Sequence, residues 1–555
     1  MKKVLLVPPI LAIILAAAGS VGLSKGSAQA AAKPRPNVIV IETDDQTVEE
    51  MRIMRNTLNL LGAQGTTFDN SFTGFPLCCP SRATFLTGQY SHNNGVLGNA
   101  LPTGGYEKLD HTNTLAVWLQ SAGYTTAMVG KFLNGYGRKG KELEVPPGWT
   151  EWHAGVKLTF FDWTMNDQGV LRHFGSSPAD YQSDVLTQKA VEVINRRVPE
   201  SKPLFMWLNY HAPHSGGPRE PDDRNGVATV NVGPRYKDYF ANESLPNMPS
   251  FNEADVSDKP TAIRNRRPLT PQRIAAIREA YQQQMESLLS VDDGVAAVVN
   301  ALAARGELAN TLIIYTDDNG FFHGQHRVPS GKVLVYEPSI RVPLLMRGPG
   351  VPKAKHLKQI VSNIDLAPTI VDVADAKPAR VMDGRSLMPL LRKPSTVWGR
   401  DLLIENGPGN THYAAIRTPR YKYVEYASGE TELYDLAQDP DELQNRANDP
   451  ALAALRAELA GRLAKLRSCK GAGCRVGPSV SLGVSCTKKK VSARVAGSDA
   501  RLVTSVAFSL NARAGVRDSK SPFKVKFARR AKRPTVNARV TLRDGRIVLR
   551  SGACR

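Results

Sequence analysis

Apolar residues in this chain fall into two textures that take turns. Continuous, largely β-branched runs come first at Asn37-Val38-Ile39-Val40-Ile41, then at Tyr124 to Val129, Leu204 to Leu208 and Thr311 to Tyr315. A run without polar alternation predicts a strand buried on both faces, as in a parallel sheet. Between these runs, Thr114 to Ser121 and Ile274 to Leu302 space their apolar residues as helices do. Strand, polar loop and helix repeat from Asn37 to about Leu466, which predicts an α/β sandwich with a mainly parallel central sheet. Ligands of such sheets gather beyond the carboxyl ends of the strands. Here those ends carry Asp44-Asp45 and Asp317-Asp318-Asn319.

After Leu390 the texture changes. Tyr413, Ile416, Tyr421, Tyr423 and Tyr426 predict a hairpin within Thr411 to Tyr426, and Glu432 to Leu436 a further short strand. Leu452, Leu455, Leu459, Leu463 and Leu466 recur at spacings of three and four, marking the apolar face of one helix. From Cys469 on, short runs at Leu502 to Phe508 and Val536 to Leu542 predict strands, with turns at Ser521-Pro522-Phe523 and at the Asp544-Gly545 step. The expected organisation is a leader over 1–30, the main α/β domain over 31–390, and a small antiparallel sheet plus helix over 391–468. A basic β module tied by disulfides follows over 469–555, with a partly ordered basic extension as the other reading.

Charge sets the last segment apart. The chain of 555 residues carries a formal net charge of +21, and the 21 Lys and Arg from Cys469 onward meet only Asp499, Asp518 and Asp544, so +18 of it sits in the tail. Such a surface suits a polyanion (a sulfated polysaccharide, an anionic cell-wall polymer or a nucleic acid), with a solvated basic surface that holds no ligand as the other reading. Only Phe508, Phe523 and Phe527 are aromatic there, which argues against a platform for stacked bases, and no specific nucleic acid is expected.

The start, Met1-Lys2-Lys3 followed by apolar Val4 to Leu23 and Ser27-Ala28-Gln29-Ala30, has the form of a cleavable export signal. An uncleaved anchor is the alternative, because the apolar stretch is long. Secretion would place the chain in an oxidising compartment, where cysteines form bridges. Beyond Cys78 and Cys79, the four cysteines Cys469, Cys474, Cys486 and Cys554 allow two disulfides in three pairings. Cys469 with Cys474 and Cys486 with Cys554 is the pairing taken here.

The most specific chemistry lies in Cys78-Cys79-Pro80-Ser81-Arg82-Ala83-Thr84-Phe85-Leu86-Thr87-Gly88. This Cys-x-Pro-Ser-Arg string with its trailing Thr-Gly resembles the signature of the formylglycine-dependent sulfatases of the alkaline phosphatase superfamily. Further blocks follow in family order: Gly123 to Lys131, Thr316 to Gly320, Gly331-Lys332, Tyr336-Glu337, Arg341-Val342-Pro343, Val361 to Ile370 and Met382 to Leu387. Cys78-Cys79-Pro80, Gly130 to Asn134, Val145 to Trp149 and Asp318-Asn319-Gly320 look most similar to the N-acetylglucosamine-6-sulfatase branch. The resemblance implies an alkaline-phosphatase-like fold and hydrolysis of sulfate esters, on sulfated small molecules or polysaccharides, with sulfated amino sugars of glycosaminoglycans the favoured class.

The resemblance also assigns roles. Cys78 would be oxidised to formylglycine by a formylglycine-generating enzyme, and its hydrate would attack sulfur and then expel sulfate by collapsing to the aldehyde. Asp44, Asp45, Asp318 and Asn319 would hold a divalent metal, most often Ca²⁺, together with an oxygen of modified residue 78; hard oxygen donors suit that ion. Arg82 would orient the hydrate, and Lys131 and Lys332 would hold sulfate oxygens. In Asn209-Tyr210-His211-Ala212-Pro213-His214, His214 matches the general acid or donor to the leaving oxygen, with His211 beside it.

One position departs from the pattern. Many sulfatases place a histidine two or three residues after the lysine of the second block, where Leu133 and Asn134 stand here. Asn134 can orient the hydrate but cannot act as a base, so either another group takes the proton, with His323 and His326 the candidates, or this subgroup does without a histidine there. Two rival readings share these features: a phosphonate or phosphodiester hydrolase of the same superfamily, and a non-catalytic relative that binds polyanions.

Overall fold

Strand β1 (Asn37–Asp44) is buried along its whole length. Its side chains part to opposite faces: Val38 and Val40 join one hydrophobic cluster, Ile39 and Ile41 another. This computed structural model describes residues 35–554, apart from 139, 395, 397, 409–411, 476, 498, 512 and 514. The leader expected over 1–30 lies outside the described residues.

The sheet around β1 also contains β2 (Thr66–Phe68), β3 (Thr125–Gly130), β4 (Glu151–Lys157), β5 (Trp163–Asp167), β6 (Val170–Phe174), β7 (Leu204–Pro213), β8 (Thr311–Asp317), β9 (Leu344–Arg347) and β10 (Lys355–Leu357). These ten strands lie in the order β10-β2-β9-β8-β1-β7-β3-β4-β5-β6. The central β8, β1, β7, β3 and β4 run parallel, and antiparallel pairs appear only towards the margins. Helices cover both faces, as the unbroken apolar runs require. The face of Val38 and Val40 packs α1 (Cys78–Thr87), α2 (Leu115–Ser121) and α5 (Leu366–Ala374). The face of Ile39 and Ile41 packs α3 (Gln182–Arg197) and the long α4 (Pro271–Ala304). Helix α4 starts sharply because the Thr270 side chain accepts from the Arg273 amide and Pro271 takes the first helical position. By length and composition α4 could cross a membrane, but its apolar side chains fill this core.

A four-stranded antiparallel sheet follows: β11 (Leu402–Asn406), β12 (Tyr413–Arg417), β13 (Tyr421–Tyr426) and β14 (Thr431–Asp435). Helix α6 (Ala453–Arg467) lays Leu455, Leu459, Leu463 and Leu466 against Leu403, Ile416, Tyr421 and Tyr423. Leu452, expected on this face, sits in the turn before the helix and packs against the same cluster.

The tail forms two small sheets. One joins β15 (Ser481–Cys486), β16 (Lys490–Ala496) and β19 (Lys524–Ala528). The other joins β17 (Val503–Leu510), β18 (Val516–Asp518), β20 (Thr535–Leu542) and β21 (Ile547–Ala553). Val491, Val495 and Val525 from the first meet Val506, Phe508, Val536 and Val540 from the second in a single core. Disulfides link Cys469 to Cys474 and Cys486 to Cys554, the pairing taken from the sequence, and Cys78 and Cys79 are buried outside these bridges.

Candidate active site

The carboxyl ends of β1, β3, β7 and β8 converge on the first turn of α1. Backbone packing brings them together. Gly130 ends β3 at φ +104°, and a Cβ there would stand 1.8 Å from the Asn209 carbonyl of β7, so only glycine closes this crossing. The same carbonyl accepts the Lys131 amide at 3.0 Å, which fixes where the lysine leaves the strand. Asp45 follows β1 with φ 73°, an uncommon left-handed conformation for a residue with a side chain. Strain of this kind is held at functional sites by the surrounding structure.

Helix α1 begins at Cys78 itself, which therefore sits at the positive end of the helix. One ligand atom from each of Asp44, Asp45, Cys78 and Asp318 lies within 4.8 Å of the others, and His214 reaches the same distance from Asp44 and Cys78. Lys332 Nζ donates to Cys78 Sγ at 2.9 Å and pairs with Asp45, while Asp44 Oδ1 stands 3.5 Å from the sulfur. Lys131 pairs with Asp44. Arg82, fully buried, donates from Nε to Asp318 at 2.7 Å, from Nη2 to Asp44 at 3.1 Å and from Nη1 to the Lys131 carbonyl at 3.0 Å. Its guanidinium thus ties the acids together, and its bonds are to them and not to Cys78.

Electrostatics follow from this crowding. Burial works to raise Asp44, but Lys131, His214, Lys332 and Arg82 outweigh it and hold the carboxyl well below its ordinary range. Burial, with the Asp44 charge beside it, pushes the Cys78 thiol up to about 12. An unmodified thiol here stays protonated near neutrality and is a poor nucleophile. Burial and the charge of Asp44 raise Asp318 to about 7, and burial and the charge of Asp318 raise Asp317 well above the usual carboxylate range.

These acids fit a hard cation. Among the described residues, Glu42, Asp44, Asp45, Asp317 and Asp318 are buried together with three cations, Arg82, Lys131 and Lys332, and with His214 at the edge of the cluster. Asp318 Oδ1 and Asn319 Oδ1 are buried and have no hydrogen-bond partner, which is costly unless a further group occupies the space between them. Asn319 Nδ2 donates to Asp45 at 2.6 Å and so aims its own oxygen. An all-oxygen set of this kind suits Ca²⁺ or Mg²⁺.

His214 and His211 stack with ring centroids 4.9 Å apart. His214 Nδ1 lies 2.6 Å from the Ser215 carbonyl, which places the ring proton on Nδ1 and turns Nε2 to Asp45 at 3.7 Å and Asp44 at 4.0 Å. Burial drives the His211 pKa well below the ordinary histidine value. His323 and His326 go elsewhere: His323 Nε2 meets Gln284 at 2.5 Å, and His326 Nδ1 meets Glu253 at 2.6 Å. Asn134 keeps its side-chain oxygen buried, and no hydrogen bond joins it to Cys78 among the described residues.

Two contributors have no role assigned from the sequence: Glu42, which that reading missed, and Asp317, which it placed at the strand end only. Glu42, inside β1, accepts from Trp207 Nε1 at 2.7 Å and approaches Arg82 at 4.0 Å. Its signal is a lone acid in an apolar run. Asp317 accepts from the amides of Gln46 and Asn319, each at 3.1 Å, and so pins the loops of both acid pairs.

The family model described as Sulfatase matches residues 36–376, and that described as N-sulphoglucosamine sulphohydrolase, C-terminal, matches 324–469. The chain is 34% identical over 496 residues to the N-acetylglucosamine-6-sulfatase of Homo sapiens, covering 80% of this chain and 87% of that one. It is 34% identical over 384 residues to the extracellular sulfatase SULF-1 homolog of Drosophila melanogaster, covering 67% of this chain and 33% of that one. A solved structure in complex with its substrate D-glucosamine-2-N,6-O-disulfate matches with a TM-score of 0.65 and 25% identity, over 78% of this chain and 97% of that one.

Proposed function

The chain belongs to the sulfatase family and is a sulfuric ester hydrolase, and from that premise we propose that it removes the 6-sulfate of a sulfated amino sugar through residue 78, matured to formylglycine. One observation carries the assignment of residues: Asp44, Asp45, Cys78 and Asp318 meet within 4.8 Å, flanked by Lys131 and Lys332. The amino-sugar substrate is supported by the human relative and by the ligand of the solved structure. Secretion is supported by the extracellular relative and by the form of the leader.

When bound, a divalent ion, Ca²⁺ in this reading, supplies positive charge to sulfate oxygens, and the hydrated aldehyde supplies paired hydroxyls that a thiol lacks. Asp44, Asp45, Asp318 and Asn319 would hold the ion. The residues of the chain do the rest. Lys332 and the positive end of α1 stabilise negative charge on the reacting atom of residue 78, whose place Sγ marks. Lys131 and Lys332 offset the charge of the sulfate group. Arg82 positions Asp44 and Asp318 and does not touch the nucleophile. His214, its proton held on Nδ1 by Ser215, presents the Nε2 lone pair within reach of residue 78. Nε2 can accept a proton there and return it to the leaving oxygen, which fills the place left by Leu133 and Asn134.

The test has two parts. The tryptic peptide Asn56 to Arg82 from mature protein should be about 18 Da lighter than the thiol form. The protein should then release sulfate from N-acetylglucosamine 6-sulfate faster than from its 3-sulfate isomer, and prefer sulfate over matched phosphate esters in kcat/KM. An intact thiol, or preference for the phosphate, would overturn the reading.

A further inference from the structure

The basic tail concentrates its charge on one face. In the β15–β16–β19 sheet, Val491, Ala493, Val495 and Val525 point into the core, so Lys490, Ser492, Arg494, Lys524 and Lys526 alternate to the outside. Cross-strand register sets Gly483 beside Arg494 beside Lys524, and Ser485 beside Ser492 beside Lys526. Neighbouring strands are about 4.8 Å apart, so these cations form a tight cluster. Gly483, Ser485, Ser492, Arg494, Lys524 and Lys526 are among the residues that line a shallow depression of about 380 Å³.

Among the described residues no acid forms an ion pair with the cations of this face, and Asp518, beside Lys524, is the one acid whose charge reaches it. Asp499 accepts the Ser479 amide, and Asp518 accepts the amides of Lys520 and Lys524. Asp544 is turned inward, where Arg462 binds it at 2.7 Å and Arg546 at 2.7 Å. Arg462 also pairs with Asp401, so this buried network fastens the module to the α6 region. Among the described lysines and arginines from Cys469 onward, only Arg546 takes part in an ion pair. Like charges left side by side without partners call for an anionic ligand.

The ligand's chemistry follows from what accompanies the charge. Phe523 and Phe508 are buried in the core and Phe527 packs against it, so the face offers no ring for base stacking. Short serine and glycine side chains allow a sugar chain to approach the strands, with hydroxyls to meet its hydroxyls. We propose that the outer face of the β15–β16–β19 sheet is a binding surface for a sulfated polysaccharide. The choice of sulfated over other anionic glycans rests on the sulfatase function above. Held on a fixed module, the surface raises the concentration of sulfate esters near the enzyme.

The test uses the full mature protein with heparin as probe. The variant K490Q/R494Q/K524Q/K526Q should weaken heparin binding at least roughly tenfold near 0.15 M salt, with a shallower salt dependence. A control, K520Q/R530Q/K532Q/R533Q, removes equal charge from exposed loops and should lose far less. Both should hydrolyse a small sulfate ester as the parent does. Should the first variant misfold by circular dichroism, S485E/S492E, which puts acids into the depression, should weaken binding likewise. Equal losses in the two quadruple variants would overturn the proposal. So would desulfated heparin or duplex DNA binding as tightly as heparin. Heparin binding that survives in a protein without esterase activity would count against the catalytic reading and for the surface.

Discussion

Removing the amine of Lys332 tests the catalytic geometry most directly. Its Nζ stands 2.9 Å from Cys78 Sγ and 3.6 Å from Asp44 Oδ1, and the side chain is only 10% exposed. Two unit charges about 3 Å apart interact by roughly 5 kcal/mol at an effective dielectric near 20. Loss of one preorganised donor to a developing anion costs about 3–4 kcal/mol, or ~10²–10³ in kcat. Lys332→Ala should therefore lower kcat on a small sulfate ester by ~10²–10³, with both the hydroxyls of residue 78 and the sulfate oxygens losing a partner. Lys332→Arg should recover only part, because a planar guanidinium cannot place a compact charge at the same point. The assay is steady-state kinetics normalised to the fraction of protein whose 56–82 peptide shows the loss of mass. That normalisation separates catalysis from maturation. A normalised kcat within about threefold of the parent, or an effect confined to KM, would show that Lys332 is not aimed at the reacting atom.

Further outcomes can be stated briefly. Dialysis against a chelator should abolish hydrolysis and lower Tm, since an ion at a hundredfold its Kd contributes about 2.7 kcal/mol; Ca²⁺ should restore both, and Asp318→Asn should blunt the response. Asp365, which starts α5, binds Arg400 through two 2.7 Å hydrogen bonds and also accepts the amides of Ser362 and Arg385. Asp365→Asn leaves a buried guanidinium without its charge partner and should cost about 3–5 kcal/mol in denaturant unfolding; a loss below 1 kcal/mol would refute this. Glu286 accepts the Phe240 amide at 2.8 Å, and burial pushes its pKa up to about 7. A raised carboxyl favours the folded state fully below its unfolded pKa, and that contribution is lost as pH rises through about 7. Glu286→Gln should match the parent in Tm near pH 4 and surpass it at pH 8, and an offset independent of pH would contradict the assignment.

Much of the active site was legible before any coordinates. The apolar run from Val38 to Ile41 announces a strand buried on two faces, and the acids at its end then fall where ligands bind such sheets. The histidines were less legible. His323 and His326 are close in sequence to Asp318, but each is turned to its own partner, Gln284 or Glu253, on a distant segment. His214 is brought to Cys78 by the pairing of β7 with β1, and only the contact with the Ser215 carbonyl fixes which nitrogen faces the nucleophile. Glu42 was hidden because its partner Trp207 is adjacent only through that same pairing.

The sequence by itself determined the kinds of groups present and their local settings: the signature cysteine, the paired acids, the two glycine-lysine steps, and the alternation that makes the tail β-rich. Those depend on residues near one another along the chain. Tertiary structure decided every relation across it. The crossing at Gly130, the sharing of Asp44 by Arg82 and Lys131, the inward turn of Asp544 and the row of Arg494 and Lys524 all depend on strand order and register. Strand partners are chosen by long-range packing of buried faces, and a shift of one residue would turn every side chain to the other side.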